Sequence, residues 1–272
     1  MKDKIVLITG ATDGIGKATA HQLAAMGATI IVHGRDAERC LQTRHDIRQA
    51  TGNLNVDYVV ADLSVQRHVR QMANDLLARY DRLHVLINNA GVIVPKRQLT
   101  EDGIETTLAV NYLAPFLLTH LLLDVLKRST PARIINVAST VHYDGKIDFK
   151  DLQSERKYNS VAAYKNAKLA EVLFTFELAE RLKGTGVTVN ALHPGVVATK
   201  LLYAGWGWTN GWTPEQGAAL SVYLATAPEV ETITGAYFES RAAGGASPKA
   251  QDVKLRRQLW NISAKLTGLA DK

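Results

Sequence analysis

Short apolar runs alternate along the chain with longer segments whose apolar residues recur every three to four positions. "KIVLI" (4–8) reads as a strand, "IGKATAHQLAAMG" as a helix ending at Gly27, and "TIIVH" (29–33) as a second strand, together a β-α-β unit. The alternation continues with "ERCLQTRHDIRQA" helical, "VDYVVA" extended, "VQRHVRQMANDLLARY" helical and "LHVLIN" extended. A long apolar-faced helix follows from Ile104 to Arg128, then the strand "ARIINVAS", a charged loop, a helix beginning "SVAAYKNAKLAEVLF" at Ser160, and the strand "VTVNALH". "TPEQGAALSVYLAT" predicts a further helix, with Thr213 as N-cap and Pro214 at its first turn, before a short strand near "GAYF". Repeated β-α units imply parallel pairing. The pattern therefore predicts one α/β domain over 1–272, a doubly wound sheet of about seven strands with helices on both faces, and ligands at the carboxyl ends of the strands.

Composition narrows the function classes. At 272 residues and 46% hydrophobic, the chain can fill one large core, and no linker-like stretch divides it. Met1 is followed almost at once by "KIVLITG", and no apolar run reaches about 18 residues, so a cytoplasmic protein without membrane contact is expected. Cys40 is the only cysteine, which excludes an internal disulfide and a cysteine-based zinc site, and no metal is expected. The net charge is +6, but Lys and Arg are dispersed among 26 acids without a basic stripe. That argues against nucleic acid and leaves an anionic cofactor as the use for a few cations.

A phosphate site is legible after the first strand. "TGATDGIG" places Gly10, Gly14 and Gly16 directly before a helix, where a tight backbone lets a pyrophosphate approach free N–H groups and the positive end of the helix dipole. At the end of the second strand, an acid would chelate the ribose hydroxyls of NAD. "HGRD" instead holds Gly34 there, followed by Arg35, whose guanidinium suits a 2′-phosphate, so NADP(H) is expected. Asp36 and Asp13 oppose that choice, and Lys17 on the first helical turn is the candidate to offset them.

Tyr164 and Lys168 lie four residues apart and so share one helix face. A phenol is a poor acid or base at neutral pH. A neighbouring ammonium is expected to pull its pKa toward the working range.

These motifs, taken in order, resemble the short-chain dehydrogenase/reductase family. The resemblance rests on the Gly-x-x-x-Gly-x-Gly loop, Asp62 in "ADLS", "NNAG" (88–91), Asn111 in "VNYLAPF", Ser139 in "NVAS", the Tyr164/Lys168 pair and "HPGVVAT" (193–199), and covers almost the whole chain. It implies a Rossmann fold in which Tyr164 exchanges a proton with a carbonyl or alcohol oxygen, Ser139 orients that oxygen, Lys168 also binds the nicotinamide ribose, and Asn111 anchors a relay water. It further implies cofactor contacts from Gly10, Thr12, Asp13, Gly14, Ile15, Gly16, Arg35, Asp62, Leu63, Asn89, Ala90 and Gly91, with "NNAG" packing the adenine side. Pro194, Gly195, Val197 and Thr199 would hold the carboxamide.

Within the family, the long segment "VHYDGKIDFKDLQSERKYNS" between Ser139 and Tyr164 is similar to the retinol-dehydrogenase-like group of reductases, which implies a carbonyl or alcohol substrate. The segment 199–213 falls where the family carries a substrate lid. Its aromatic side chains suggest a bulky, lipophilic substrate, with Tyr203, Trp206 and Trp208 as candidates beside His142 and Tyr143. The helix "YLAPFLLTHLLLDVLKR" and the Ser160 helix carry surplus apolar surface where the family pairs subunits, so a homodimer or homotetramer is expected. The tail at about 248–268 reads as an amphipathic helix anchored by Leu255, Leu259, Trp260 and Ile262 and docked on its own fold. The alternative functions on the same fold are a dinucleotide-sensing regulator and an NAD(H)-preferring dehydrogenase.

Overall fold

Every predicted strand forms, and all lie side by side in one sheet. A computed structural model describes residues 1–208 and 210–269; Thr209 of the expected lid and 270–272 lie outside them. The strands are β1 (Ile5–Ile8), β2 (Thr29–Gly34), β3 (Val56–Val60), β4 (Val85–Asn88), β5 (Ala132–Val137), β6 (Val187–Leu192), β7 (Ala236–Phe238) and β8 (Ala243–Gly244). Their order is β3-β2-β1-β4-β5-β6-β7-β8. All pair in parallel except β8, a two-residue strand antiparallel to β7 that sequence periodicity is too short to register.

Alternate residues of each strand feed two cores, which is why the strands read as continuous apolar runs. Leu7, Ile31 and Leu86 face α3 (Gln66–Arg79), α5 (Ala114–Arg128) and α6 (Ser160–Arg181), whereas Val6, Ile8, Ile30 and Val32 face α1 (Gly14–Ala25), α2 (Ala37–Thr51) and α8 (Pro214–Thr226). The chain reverses its winding between β1 and β4. A crevice opens there at the carboxyl ends of the strands.

The helix expected over Ile104–Arg128 is not continuous. A short α4 (Thr106–Leu108) runs into a π turn (Ala109–Leu113) before α5 begins. Pro115 explains the break, because it has no N–H to give to the carbonyl of Asn111 four residues back, and the ladder shifts so that Ala114 N–H bonds Ala109 instead. The stretch Thr106–Arg128 also corrects the expectation that no segment is long and apolar enough to cross a membrane. By length and hydropathy it is, and 78% of its most apolar window is buried within this fold.

The tail forms α9 (Val253–Leu266), which packs on α5 and α6. Trp260 meets Phe116 edge-on at 5.1 Å between ring centroids, the Arg181 guanidinium sits 4.1 Å from the Trp260 ring centre, and the Tyr112 and Ser263 hydroxyls are 2.7 Å apart. Self-docking is what amphipathicity predicts. Through Phe116 and Phe174 it also covers part of the apolar surface of α5 and α6.

Candidate active site

The loop after β1 is tied down from both neighbouring strands. Asn89 at the end of β4 donates to the carbonyls of Thr9 (2.8 Å) and Gly10 (3.2 Å), while the Thr9 hydroxyl accepts from the Asn89 and Ala90 amides. From β2, His33 accepts the Gly10 N–H at Nδ1 (3.1 Å), and its Nε2 donates to the Ala61 carbonyl (3.1 Å). This arrangement requires a neutral ring, and burial pushes the His33 pKa down to about 4. Asn89 therefore anchors the loop while also lining the cleft with Ala90 and Gly91, whereas Asn88 turns into the sheet to bond Asn136 and Thr119. A side chain at Gly16 would strike the Gly10 carbonyl and the Asn89 amide, each 2.4 Å from the position of a Cβ, so the cradle needs glycine.

At the far end of the cleft, Gly34 lies so close to Thr12 and Cys40 that a Cβ would sit 2.6 Å and 2.8 Å from their side chains. An acid there has no room. Arg35 lines the cleft, and so does Arg39, which sequence reasoning missed because it sits a helical turn beyond the strand end. Asp36 does not oppose them: its carboxylate caps α2 by accepting the Arg39 N–H at 2.9 Å. Lys17 is not the offsetting cation, because it pairs with Asp46 at 2.7 Å, away from the cleft. Asp13 caps α1 through the Gly14 N–H and is bridged by Arg39 (3.1 Å) and by Lys200 (2.7 Å). The bond from Lys200 is the largest cause holding the Asp13 carboxyl below its ordinary pKa. Asp62 and Leu63 also line the cleft, with Asp62 accepting from the Ser64 amide and hydroxyl.

Ser139, Tyr164 and Lys168 converge on the same cleft, which has a volume of about 870 Å³. Thr12, Asp13, Ile15, Ala90, Gly91, Pro194, Gly195, Val197 and Thr199 line it as expected. Its roof is α7 (Lys200–Trp206), capped by Thr199, and Tyr203, Trp206 and Trp208 border the cleft while staying open to solvent; the Trp206 ring stands edge-on to Tyr164 at 6.0 Å. Two expectations fail. His142 is fully buried, bonded to the Ser139 carbonyl and the Ser247 N–H, and Tyr143 bonds Glu239 and the Gly245 carbonyl, so the turn after Ser139 carries both away from the cleft. Asn111 is buried beside the cleft, its side-chain amide accepting from the Val92 N–H (2.8 Å) and donating to the Val92 carbonyl (2.9 Å), with one N–H and one lone pair left over.

Lys168 is buried at 3% exposure and donates to the Val137 carbonyl (2.6 Å) and to Glu171 (2.8 Å). Burial raises the Tyr164 pKa above the ordinary phenol value; Lys168 pulls it down, Glu171 pushes it up, and the net is upward, contrary to expectation. Burial depresses Lys168, but Glu171 and Tyr164 outweigh it and hold the ammonium charged. Burial pushes Glu171 up to about 7 against the pull of Lys168.

A model of the family described as short chain dehydrogenase matches residues 4–206. The chain belongs to that family. It is retinol-dehydrogenase-like: mouse retinol dehydrogenase 13 is 44% identical over 98% of this chain and 84% of its own length. Human retinol dehydrogenase 12 is likewise 44% identical, over 98% and 87%. Among solved structures, a putative uncharacterized protein of Mycobacterium paratuberculosis superposes with a TM-score of 0.81 at 31% identity, covering 98% of this chain and 94% of that one. A putative short chain dehydrogenase from Escherichia coli CFT073, complexed with NADPH, reaches 0.75 at 26% identity over 89% and 98%. The dehydrogenase fold is that of an oxidoreductase using a nicotinamide dinucleotide. The glycine cradle, tied from β2 and β4, fits such a group without rearrangement.

Proposed function

We propose that this oxidoreductase uses NADP(H) to interconvert a bulky lipophilic ketone or aldehyde and its alcohol. The observation that carries the reading is the joining, in one cleft, of a buried phenol beside a paired ammonium, a strand-end serine and an aromatic roof. The bound nicotinamide supplies or accepts the hydride. Tyr164 gives its hydroxyl proton to the carbonyl oxygen in reduction and takes the alcohol proton in oxidation; Ser139 donates a hydrogen bond to the same oxygen and orients it. Lys168 favours the phenolate left behind. With two of its three N–H bonds held by Val137 and Glu171, it has one to offer a ribose hydroxyl at the cleft. Tyr203, Trp206 and Trp208 offer apolar surface at the mouth of the cleft that matches an apolar substrate, consistent with the names of the retinol dehydrogenases this chain resembles.

Two features favour the 2′-phosphorylated cofactor. An acid at position 34 is sterically barred, and Arg35 and Arg39 flank that position with forked donors. The test is NADPH consumption with lipophilic aldehydes and ketones, retinal included, for the parent and Tyr164→Phe. The substitution should lower turnover by about 10²- to 10⁴-fold while NADPH still binds. Undiminished turnover would falsify the proton-transfer role.

A further inference from the structure

Glu171 is 1% exposed, one helical turn beyond Lys168, and its Oε2 lies 2.8 Å from the Lys168 Nζ, so a buried ion pair whose ammonium end reaches the cleft sits beside Tyr164. A carboxylate seldom occupies such a place without a task, because removing it from water costs several kcal/mol and a neutral side chain would pack as well. The other charged and titratable groups around α6 leave this carboxylate to Lys168. On the turn packed against the helix, Lys249 donates to the Gly145 carbonyl. On α9, Arg256 lies 3.7 Å from Glu177, and on the π turn the Tyr112 hydroxyl is engaged by Ser263. From β7, Tyr237 lies within electrostatic reach of Glu171, Tyr164, Tyr143 and Glu239, and burial above all keeps it protonated; the His142 ring packs against it at a tilt, 4.5 Å between centroids.

We propose that Glu171 is a positioning residue that acts through Lys168: it fixes the ammonium against the Val137 carbonyl and, by offsetting its charge, sets how readily Tyr164 gives up its proton. The inference rests on the proposed role of Tyr164. With Glu171 ionised, Tyr164 faces a half-compensated cation and keeps its proton, as a donor for reduction must. With Glu171 uncharged, the full ammonium charge is turned on the phenol and the phenolate, the base needed for oxidation, is favoured. Since the carboxyl titrates near 7, it is ionised across the alkaline range in which a buried phenol gives up its proton.

The experiment compares parent, Glu171→Gln and Glu171→Asp as full-length, NADP⁺-saturated protein. Tyr164 ionisation is followed by phenolate ultraviolet absorbance, each protein referenced to its own Tyr164→Phe version, so the reading is independent of turnover. Glu171→Gln keeps an oxygen for the Lys168 hydrogen bond but removes the charge, and should lower the Tyr164 midpoint by about one pH unit, a tenfold change in phenolate fraction below the midpoint. Glu171→Asp keeps the charge one methylene further back and should lower it by less. If Glu171→Gln does not fold, the Asp variant decides alone. A folded variant that titrates at the parent midpoint, with only its thermal stability lowered, overturns the proposal. Shifted midpoints in the Glu171 variants together with undiminished turnover in Tyr164→Phe would instead count against the proton-transfer role of Tyr164.

Discussion

Replacing His33 with Gln tests whether the phosphate loop is held by a neutral imidazole. The ring accepts the Gly10 N–H and donates to the Ala61 carbonyl, so a second proton on Nδ1 would face a donor, and the ring is buried away from compensating water. The depression from 6.5 to about 4 means that the unfolded chain binds the proton more tightly than the folded one. The stability this confers is present above pH 6.5 and is lost as pH falls through the window down to about 4. At 1.36 kcal/mol per unit, the 2.5-unit depression amounts to about 3 kcal/mol, of which about 2 kcal/mol disappears between roughly pH 7 and pH 5. Urea unfolding of parent and His33→Gln at both pH values isolates it, because other titrating groups are common to the two proteins. The parent should be the more stable at neutral pH and should lose about 2 kcal/mol of that advantage on acidification. A gap that stays constant would refute the neutral clamp.

Arg39→Ala should weaken NADPH binding about tenfold with NADH little changed, and Asp13→Asn, which releases Arg39 from its exposed ion pair, should strengthen NADPH binding; fluorescence titration with both cofactors checks the pair. Equal losses for the two cofactors in Arg39→Ala would remove the 2′-phosphate assignment. Trp260→Ala takes the largest anchor of α9 from Phe116, Phe174 and Arg181, and should destabilise the fold by about 3 kcal/mol while leaving turnover near the parent's below the new melting temperature.

The legible parts of the site were those set by local chemistry at strand ends. Gly10, Gly14 and Gly16 announce a tight approach to a helix N-terminus, and the four-residue spacing of Tyr164 and Lys168 fixes a shared helix face whatever surrounds it. Burial and long-range pairing were not legible. Glu171 reads as one more polar residue on an amphipathic helix until the fold buries it, and it is the burial of Tyr164 itself, with the Glu171 charge adding to it, that reverses the expected direction of the Tyr164 shift. Arg39 and Lys17 look equivalent as nearby cations. Only the crossing of α1 and α2 decides that Asp46 takes the lysine and Asp13 the arginine. His142 and Tyr143 follow Ser139 directly, but a 3₁₀ turn over Thr140–Asp144 swings them under the tail, and no periodicity signals such a turn. The break at Asn111 was readable in principle from Pro115, which forbids an unbroken ladder.

The contact of Gly34 with Thr12 and Cys40 has a consequence for altering this protein's cofactor. Introducing an acid at that position is the single change that would ordinarily redirect such a fold toward NAD, yet here the new side chain would be driven into a threonine methyl and a buried sulfur before it reached a ribose. Space must first be made from the phosphate loop and from the first turns of α2. The three positions therefore form one coupled unit, in which each substitution alone lowers fitness and only the combination gains. On the proposed NADP(H) reading, cofactor choice is held by shape as much as by charge, and a stepwise route out of it passes through a poorer enzyme.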